Sequence, residues 1–452
     1  MYELIIAVEQ NYGIGYENKL PWKCKEELEI FKQKTENNIV VFGTKTLQYL
    51  PYLPNRDIYC LSKNGAKSVI NCKNTFSTIK MLEELPKMDK TIFIAGGNEI
   101  YNFSLSNPKY VSTIHMSVMK KEYKCDTWFD KRLLNDFVIV EEQDYEEFTH
   151  YVLKRTENGE RQYLNLLENI IENGTERKGR NGNTLSVFTE HFKFDLRNGF
   201  PLLSTKKMFL RGIIEEFLFF VRGETDSNVL SQKKVRIWEG NTTKEFIKNR
   251  GLDYEQGIMG PMYGYQWRKF GQEYITDEDG YPIDNHPNIK QKGIDQLANV
   301  INLIKTDPYS RRILMTSYNP LQAEEGVLYP CHSIAIQFYV VGDYLDMFCF
   351  NRSQDTFLGV PYNIASSSLL LILVAQLTNK NPRFFNMTMG DTHLYEDHIC
   401  CAQEQIQRIP YSFPNIKIKS ITDISEVGSL TEEDFTVENY TSYKTIKANM
   451  VV

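Results

Sequence analysis

The sequence predicts a soluble, globular chain of two packed domains, the first opening as an α/β unit, and three observations predict it. At 452 residues the chain exceeds the size at which one hydrophobic core stops growing. Near its start the apolar run Leu4-Ile5-Ile6-Ala7-Val8 precedes Gly13-Ile14-Gly15, Leu20-Pro21-Trp22 and a helix-like stretch, the strand, loop and helix order of an α/β fold. Farther on, an alternating strand ends at Thr149–Lys154 and an amphipathic helix runs from Gln162 to Ile171, with only Thr156-Glu157-Asn158-Gly159 marking the junction.

In the first helix, spacing places Cys24, Glu27, Leu28 and Phe31 on one face and Glu26, Glu29 and Gln33 elsewhere. Glu27 is therefore expected to face inward. Desolvation raises the proton affinity of such a carboxylate, which suits it to bind a polar heterocycle and support its protonation. In the second domain Tyr329-Pro330-Cys331-His332 stands between Ser310-Arg311-Arg312 and Arg352-Ser353-Gln354-Asp355. Gly359-Val360-Pro361-Tyr362-Asn363 and Asp391-Thr392-His393-Leu394-Tyr395 follow. A thiol attacks as thiolate, and guanidinium groups both lower its pKa and bind phosphate in pairs, so the arrangement reads as a nucleophile beside an anion site. Standing alone, one such cysteine is more often a small buried apolar group.

Composition narrows the class. The chain is 42% hydrophobic and 24% charged, with no apolar run that reads as long enough to span a bilayer and no secretory signal, since Met1-Tyr2-Glu3 enters the first strand directly. Eight sparse cysteines without paired ligand spacing read as free thiols in a reducing cytosol, so a cytoplasmic location is expected. A net charge of −6 argues against a nucleic-acid-binding protein. Residues 1–155 hold about 21 basic and about 21 acidic side chains, so the excess lies in the second domain and its anion sites must be local arginine pockets. His393 and His398, near Asp391, Glu396 and Asp397, miss the i, i+4 spacing of helical ligand pairs, and no metal is expected.

Longer segments carry a resemblance. Leu20-Pro21-Trp22 with Glu27 and Phe31, Val41-Phe42-Gly43-Thr44-Lys45-Thr46, Leu53-Pro54-Asn55-Arg56, Leu61-Ser62-Lys63, Ile94-Ala95-Gly96-Gly97 and Cys125-Asp126-Thr127-Trp128-Phe129 fall in one order. By them residues 1–155 resemble dihydrofolate reductase. The resemblance implies an α/β domain with a mixed, mainly parallel central sheet that reduces dihydrofolate with NADPH. It places Glu27 on the pterin, Ile5, Phe31 and Ser117 around its pocket, and Arg56 on the glutamate carboxylate. It sets NADPH against Ala7, Ile14, Gly15, Gly43, Thr44, Lys45, Thr46, Leu61, Ser62, Lys63, Gly96, Gly97, Asn98, Glu99, Ile100 and Tyr101. Lys45 and Lys63 are candidates for the 2′-phosphate. The residues themselves support the phosphate contact, because Gly96-Gly97 follow Thr91-Ile92-Phe93-Ile94 and precede a helical pattern whose first amides can hold a pyrophosphate. No Rossmann glycine fingerprint is present.

Beyond a short linker at 156–160, residues 161–452 carry Phe200-Pro201-Leu202-Leu203-Ser204-Thr205-Lys206-Lys207, Leu210-Arg211-Gly212-Ile213-Ile214-Glu215-Glu216-Phe217-Leu218, Ile237-Trp238-Glu239, Gly260-Pro261-Met262-Tyr263-Gly264 and Gln266-Trp267-Arg268, besides the segments around Cys331. This stretch resembles thymidylate synthase, and the order of the two is that of the bifunctional reductase-synthases. The resemblance implies an α+β domain that methylates dUMP reductively with 5,10-methylenetetrahydrofolate, releasing the dihydrofolate that the first domain reduces. Cys331 would add to C6 of dUMP, with Glu216 and Tyr263 handling protons. The nucleotide would meet Arg352, Ser353, His332, Gln354, Asp355, Asn363, His393 and Tyr395, together with Arg311 and Arg312 from the partner subunit of an obligate homodimer. The folate would meet Trp238, Asp355 and Val451, the last of these closing over it from the C-terminus.

Some positions depart from the pattern. Ser117 stands where Thr is usual, Phe209 where His is frequent, and Gln354 where Cys is common, a change expected to matter little. The stretch Glu176–Thr184 replaces the usual Arg-Thr-Gly loop at a changed length, so either Arg177 or Arg180 is a candidate for the remaining phosphate contact. Asn181-Gly182-Asn183 and Thr276–Pro287 read as surface loops. Two rival functions are a pyrimidine hydroxymethylase acting on dCMP, which a base-reading Asp in place of Asn363 would favour, and a non-catalytic protein on an enzyme fold.

Overall fold

The computed structural model describes residues 2–62, 74–76, 90–156, 159–179, 182–283, 286–290 and 292–451, without the side chains of 74–76. Lys63, Arg180 and the middle of the expected linker lie outside them. The chain divides into two compact units, Met1–Asn158 with Ile409–Ser412, and Gly159–Arg408 with Phe413–Val452.

The first unit contains β1 (Tyr2–Val8), β2 (Gly13–Gly15), β3 (Ile39–Gly43), β4 (Asp57–Leu61), β5 (Asn74–Phe76), β6 (Ile92–Ile94), β7 (Val111–Met119), β8 (Thr127–Trp128), β9 (Phe137–Asp144) and β10 (Phe148–Arg155). Eight of these form one sheet in the order β5, β4, β3, β6, β1, β7, β10, β9, and β2 pairs with β8 apart from it. Neighbours run parallel from β5 to β7, and β10 runs antiparallel to β7 and to β9. This is the mixed, mainly parallel sheet that was expected. β3 reads Ile-Val-Val-Phe without alternation because all four side chains are buried, as a strand covered on both faces requires.

The helix Lys25–Thr35 turns Glu27 into the unit, with Cys24 buried ahead of it and Phe31 half-buried beyond. Leu28, expected on that face, is instead 51% exposed. At 100° per residue it falls at the edge of the stripe centred on Glu27.

The second unit is built on β11 (Thr175–Gly179), β12 (Gly182–Asp195), β13 (Leu314–Thr316), β14 (Ala335–Val341), β15 (Tyr344–Asp355) and β16 (Asn381–Tyr395), ordered β11, β12, β16, β15, β14, β13. All neighbours are antiparallel except β15 and β16. A parallel pair needs a crossover, and the helix Gly359–Leu377 supplies it. That helix is long and apolar enough to cross a membrane, contrary to the sequence expectation, because Ser366-Ser367-Ser368 hid its continuity. Most of it is buried inside the unit, and an uncharged helix enclosed on every side is the form a core helix takes.

Alternation assigns the sheet two faces. Ile336, Phe338, Val340, Leu345, Met347 and Cys349 point into the core, while Leu314, Gln337 and Phe348 register side by side on the opposite face beside Tyr339. Leu314, Phe348 and Tyr339 are all exposed there. The expected Asn181-Gly182-Asn183 loop is shorter than a loop: Gly182 and Asn183 already pair with Gly179 and Lys178. Thr276–Pro282 is a turn closed by a bridge between its ends.

Candidate active sites

In the second unit Cys331 sits just ahead of β14, with its backbone tied to the end of β15. Its carbonyl accepts the amides of Arg352 at 2.7 Å and Ser353 at 3.3 Å, and Arg352 Nε donates to the Pro330 carbonyl at 3.2 Å. The Tyr263 hydroxyl lies 3.2 Å from Cys331 Sγ and accepts the Cys331 N–H at 3.3 Å. Tyr263 is buried, stacked on His332 with ring centroids 4.1 Å apart, and held at φ 44°. A tyrosine in that left-handed region is strained, and stacking plus two hydrogen bonds to the thiol residue over-determine it. Ser333 is likewise at φ 53°, where its amide reaches Asn351 Oδ1 at 2.7 Å.

The thiol is not poised as the arginine pattern predicted. Burial pushes the Cys331 pKa up, with the Tyr263 hydrogen bond and the Arg352 charge opposing it. Arg311 and Arg312 are exposed, form no ion pair among the described residues, and stand at the entry to β13. Among the described residues, Arg352 is the arginine of the expected cluster whose charge acts on the thiol.

Other expected residues gather around it. Glu216, on the helix Leu210–Arg222, accepts the indole N–H of Trp238 at 2.8 Å, and burial lifts its pKa to about 7. Burial also lowers His332 to about 4, so it is neutral, with Nδ1 3.2 Å from the Ser333 hydroxyl. Asp355 Oδ1 accepts the amides of Phe357 and Leu358 at 2.9 and 3.1 Å. Asn363, at the start of the core helix, donates to Gln354 Oε1 at 2.7 Å. His393 Nδ1 lies 3.1 Å from Asp391 Oδ1, and its ring meets Tyr395 edge-on. Arg177 donates to the other Asp391 oxygen at 2.6 Å, so its charge is partnered. Val451 comes alongside Gly182, on a tail held where His398 Nε2 meets the Asn449 carbonyl at 2.8 Å.

In the first unit Glu27 is buried and its pKa rises to about 7 by desolvation, against a hydrogen bond from the Ser117 hydroxyl. Ser117 Oγ in turn lies 3.1 Å from His150 Nδ1 across the β7–β10 pair. Burial holds His150 down to about 4. Arg56 is fixed at the C-terminal end of the Glu27 helix by bonds to Thr35 Oγ1 at 2.9 Å and Pro54 O at 2.7 Å, 5.8 Å from the Phe31 ring centre. Ile5 offers its carbonyl to the buried Tyr101 hydroxyl at 2.9 Å.

The glycine pair forms a cradle. Gly43 N donates to Gly96 O at 2.7 Å, and Gly97 caps the helix Asn98–Leu105, its carbonyl accepting the amides of Ile100 at 2.9 Å and Tyr101 at 3.1 Å, so the glycine pair stands at that helix's N-terminus. A Cβ on Gly97 would lie 2.8 Å from Thr46 Oγ1, so a side chain would fill the cradle. Thr44 points back to the Leu61 carbonyl at 3.4 Å, Ser62 is buried next to it, and Lys45 is exposed. Ala7, Ile14 and Gly15 are half-buried at the β1–β2 turn, and Glu99 and Ile100 follow Asn98 in the helix.

Sequence reasoning passed over two groups. His150 lay in an alternating strand with nothing to mark it until register set it opposite Ser117. Lys206, inside the matched Phe200–Lys207 segment, is buried above the Phe357 ring with its pKa lowered to about 7 by desolvation. Chemically, one unit offers a thiol, a phenol and a near-neutral carboxyl beside a guanidinium. The other offers a near-neutral carboxyl and an anion cradle. Among the described residues no cluster of His, Cys, Asp and Glu could hold a metal ion.

Comparison with known proteins matches the same halves. The thymidylate synthase family model matches residues 161–452 and the dihydrofolate reductase model residues 1–157. Similar full-length proteins include the bifunctional dihydrofolate reductase-thymidylate synthases of Paramecium tetraurelia, 35% identical over 100% of this chain and 99% of the relative, and of Zea mays, 33% identical over 100% and 97%. That of Plasmodium berghei (strain Anka) is 35% identical over 91% of this chain and 82% of its own length. With both halves matched in order and covered end to end, the chain belongs to the bifunctional dihydrofolate reductase-thymidylate synthase family.

Proposed function

We propose that the second unit converts dUMP and 5,10-methylenetetrahydrofolate to dTMP and dihydrofolate, and that the first reduces this dihydrofolate to tetrahydrofolate with NADPH, in the cytoplasm. The observation that carries the reading is the Cys331 thiol held 3.2 Å from Tyr263 Oη on a backbone tied to Arg352.

Cys331 Sγ would bond to C6 of dUMP while the C5–C6 electron pair moves toward O4, leaving C5 nucleophilic toward the one-carbon unit. Glu216, near neutrality, would exchange a proton with O4 through water, and Tyr263, kept protonated by burial, would relay the C5 proton away. The bond from the one-carbon unit to the folate nitrogen would then break, leaving an exocyclic methylene on C5; a hydride from the tetrahydrofolate ring reduces it to methyl as the sulfur leaves C6, which restores the ring double bond and yields dTMP and dihydrofolate. Arg352 and Ser353 would bind the phosphate, with Arg177 or Arg180 adding to them, His393 and Tyr395 the deoxyribose hydroxyl, and Asn363 the uracil edge. Trp238 and Asp355 would contact the folate, and Val451 would close over it.

A homodimer through the synthase unit supports this chemistry. The exposed Leu314, Phe348 and Tyr339 give a second copy an apolar sheet face to cover, and Arg311 and Arg312 would enter the partner's phosphate site. Their charge would offset the burial that raises the Cys331 pKa.

In the reductase unit Glu27, near half-protonated at pH 7, would hold the pterin and support its protonation, with Ile5, Phe31 and Ser117 around the ring and Arg56 on the glutamate carboxylate. When bound, NADPH supplies the hydride. The Gly96–Gly97 cradle fits its pyrophosphate because only a residue without Cβ leaves that space. Intact-mass analysis after incubation with 5-fluoro-dUMP and methylenetetrahydrofolate tests the synthase half: a covalent adduct is expected in the native protein and none in Cys331→Ala. No adduct in either would overturn it. NADPH oxidation dependent on dihydrofolate and lost in Glu27→Gln tests the other half.

A further inference from the structure

We infer that Gln354 is the positioning residue that makes the synthase site accept uracil and refuse cytosine; this rests on the synthase reading above. Gln354 is buried at the end of β15, next to Ser353, whose amide is tied to the Cys331 carbonyl. Its side chain makes two hydrogen bonds of opposite sense. Gln354 Nε2 donates to the Ser353 carbonyl at 2.9 Å, and Oε1 accepts from Asn363 Nδ2 at 2.7 Å.

The sense of both bonds is forced. A backbone carbonyl can only accept, so the Gln354 atom facing Ser353 O must be the amide nitrogen. The other end is then oxygen, and the Asn363 atom facing it must be Nδ2. Asn363 thereby has one orientation, with Oδ1 free to accept and a second Nδ2 hydrogen free to donate. Uracil presents an N3–H donor beside an O4 acceptor, which this amide matches. Cytosine presents an N3 acceptor beside a 4-amino donor, which only the flipped amide would match. An unrestrained asparagine can flip to suit either base. Held by Gln354, it cannot flip without facing two oxygens at each other in a buried site, a loss that removes an order of magnitude or more from binding.

The test measures kcat/KM for tritium release from C5-labelled dUMP and dCMP with methylenetetrahydrofolate, on the full chain. In Gln354→Met, which keeps length and volume but neither hydrogen bond, the dUMP-over-dCMP ratio is expected to fall about tenfold. In Gln354→Glu it is expected to return to within about threefold of the native ratio, because a buried carboxylic acid donates its O–H to Ser353 O and accepts from Asn363 at its carbonyl oxygen. A native ratio in Gln354→Met overturns the inference, as does equal loss, or inactivity, in both variants. Failure of the synthase reading itself would look different, since the native protein would then release no tritium from dUMP.

Discussion

Burial sets the protonation of both acids in these sites. Glu27 and Glu216 share a pKa near 7 because the same desolvation acts on each, although one sits against a serine and the other against an indole. For Glu27 the consequence for stability has a definite sign. Its folded pKa lies above the ordinary value of 4.5, so the stability contributed by the neutral form is present below pH 4.5 and is lost as pH rises through about 7. Above pH 7 the cost approaches roughly 3 kcal/mol. Glu27→Gln is thus expected to match the native protein in urea near pH 4 and to exceed it by about 1–3 kcal/mol at pH 8, while reductase turnover falls at least about 100-fold. Ser117→Ala removes the one hydrogen bond that opposes desolvation, so the alkaline limb of the reductase pH profile should move upward, read from kcat/KM between pH 6 and 9.

At the level of elements, both sites lie where a strand gives way to a turn or helix. The reductase cradle joins the end of β6 to the helix Asn98–Leu105 through two glycines, one of them at φ 127°. Gly97→Ala would drive a methyl against Thr46 Oγ1, and NADPH affinity by fluorescence titration is expected to fall about tenfold or more with dihydrofolate affinity nearly unchanged. In the synthase unit the Ser204–Thr205 turn is seated by the buried Glu160 carboxylate, which accepts the amide and the hydroxyl of both residues at 2.7–2.9 Å. That turn carries Lys206 into the core beside Phe357, so a carboxylate near the domain junction sets the position of a cation far along the chain.

For the whole molecule, the synthase sheet has one face in the core and one exposing Leu314, Phe348 and Tyr339. Covering that face with a second copy is what would complete the phosphate site with Arg311 and Arg312. Phe348→Lys should therefore give a monomer by light scattering, with dTMP formation reduced about 100-fold or more and NADPH-dependent reductase activity within about twofold of native. Each unit is compact in itself, so the control for the synthase unit is a far-ultraviolet circular dichroism spectrum and thermal transition matching the native protein.

Much of this was readable from residues alone. Period 3.6 turned Glu27 inward, and the apolar runs Leu4–Val8 and Thr91–Ile94 marked two of the parallel strands, because each depends on neighbours within one element. What folding added depends on residues far apart in the chain. Leu28, at the edge of the helical stripe, is exposed in the folded unit. The Cys331 thiol rose in pKa because burial outweighed the Tyr263 hydrogen bond and the Arg352 charge that oppose it. Gln354 looked interchangeable until the end of β15 met the first turns of the core helix and its amide had to choose a direction. Sequence records which groups are available; their proton affinities and orientations follow from who surrounds them, and that is a property of packing.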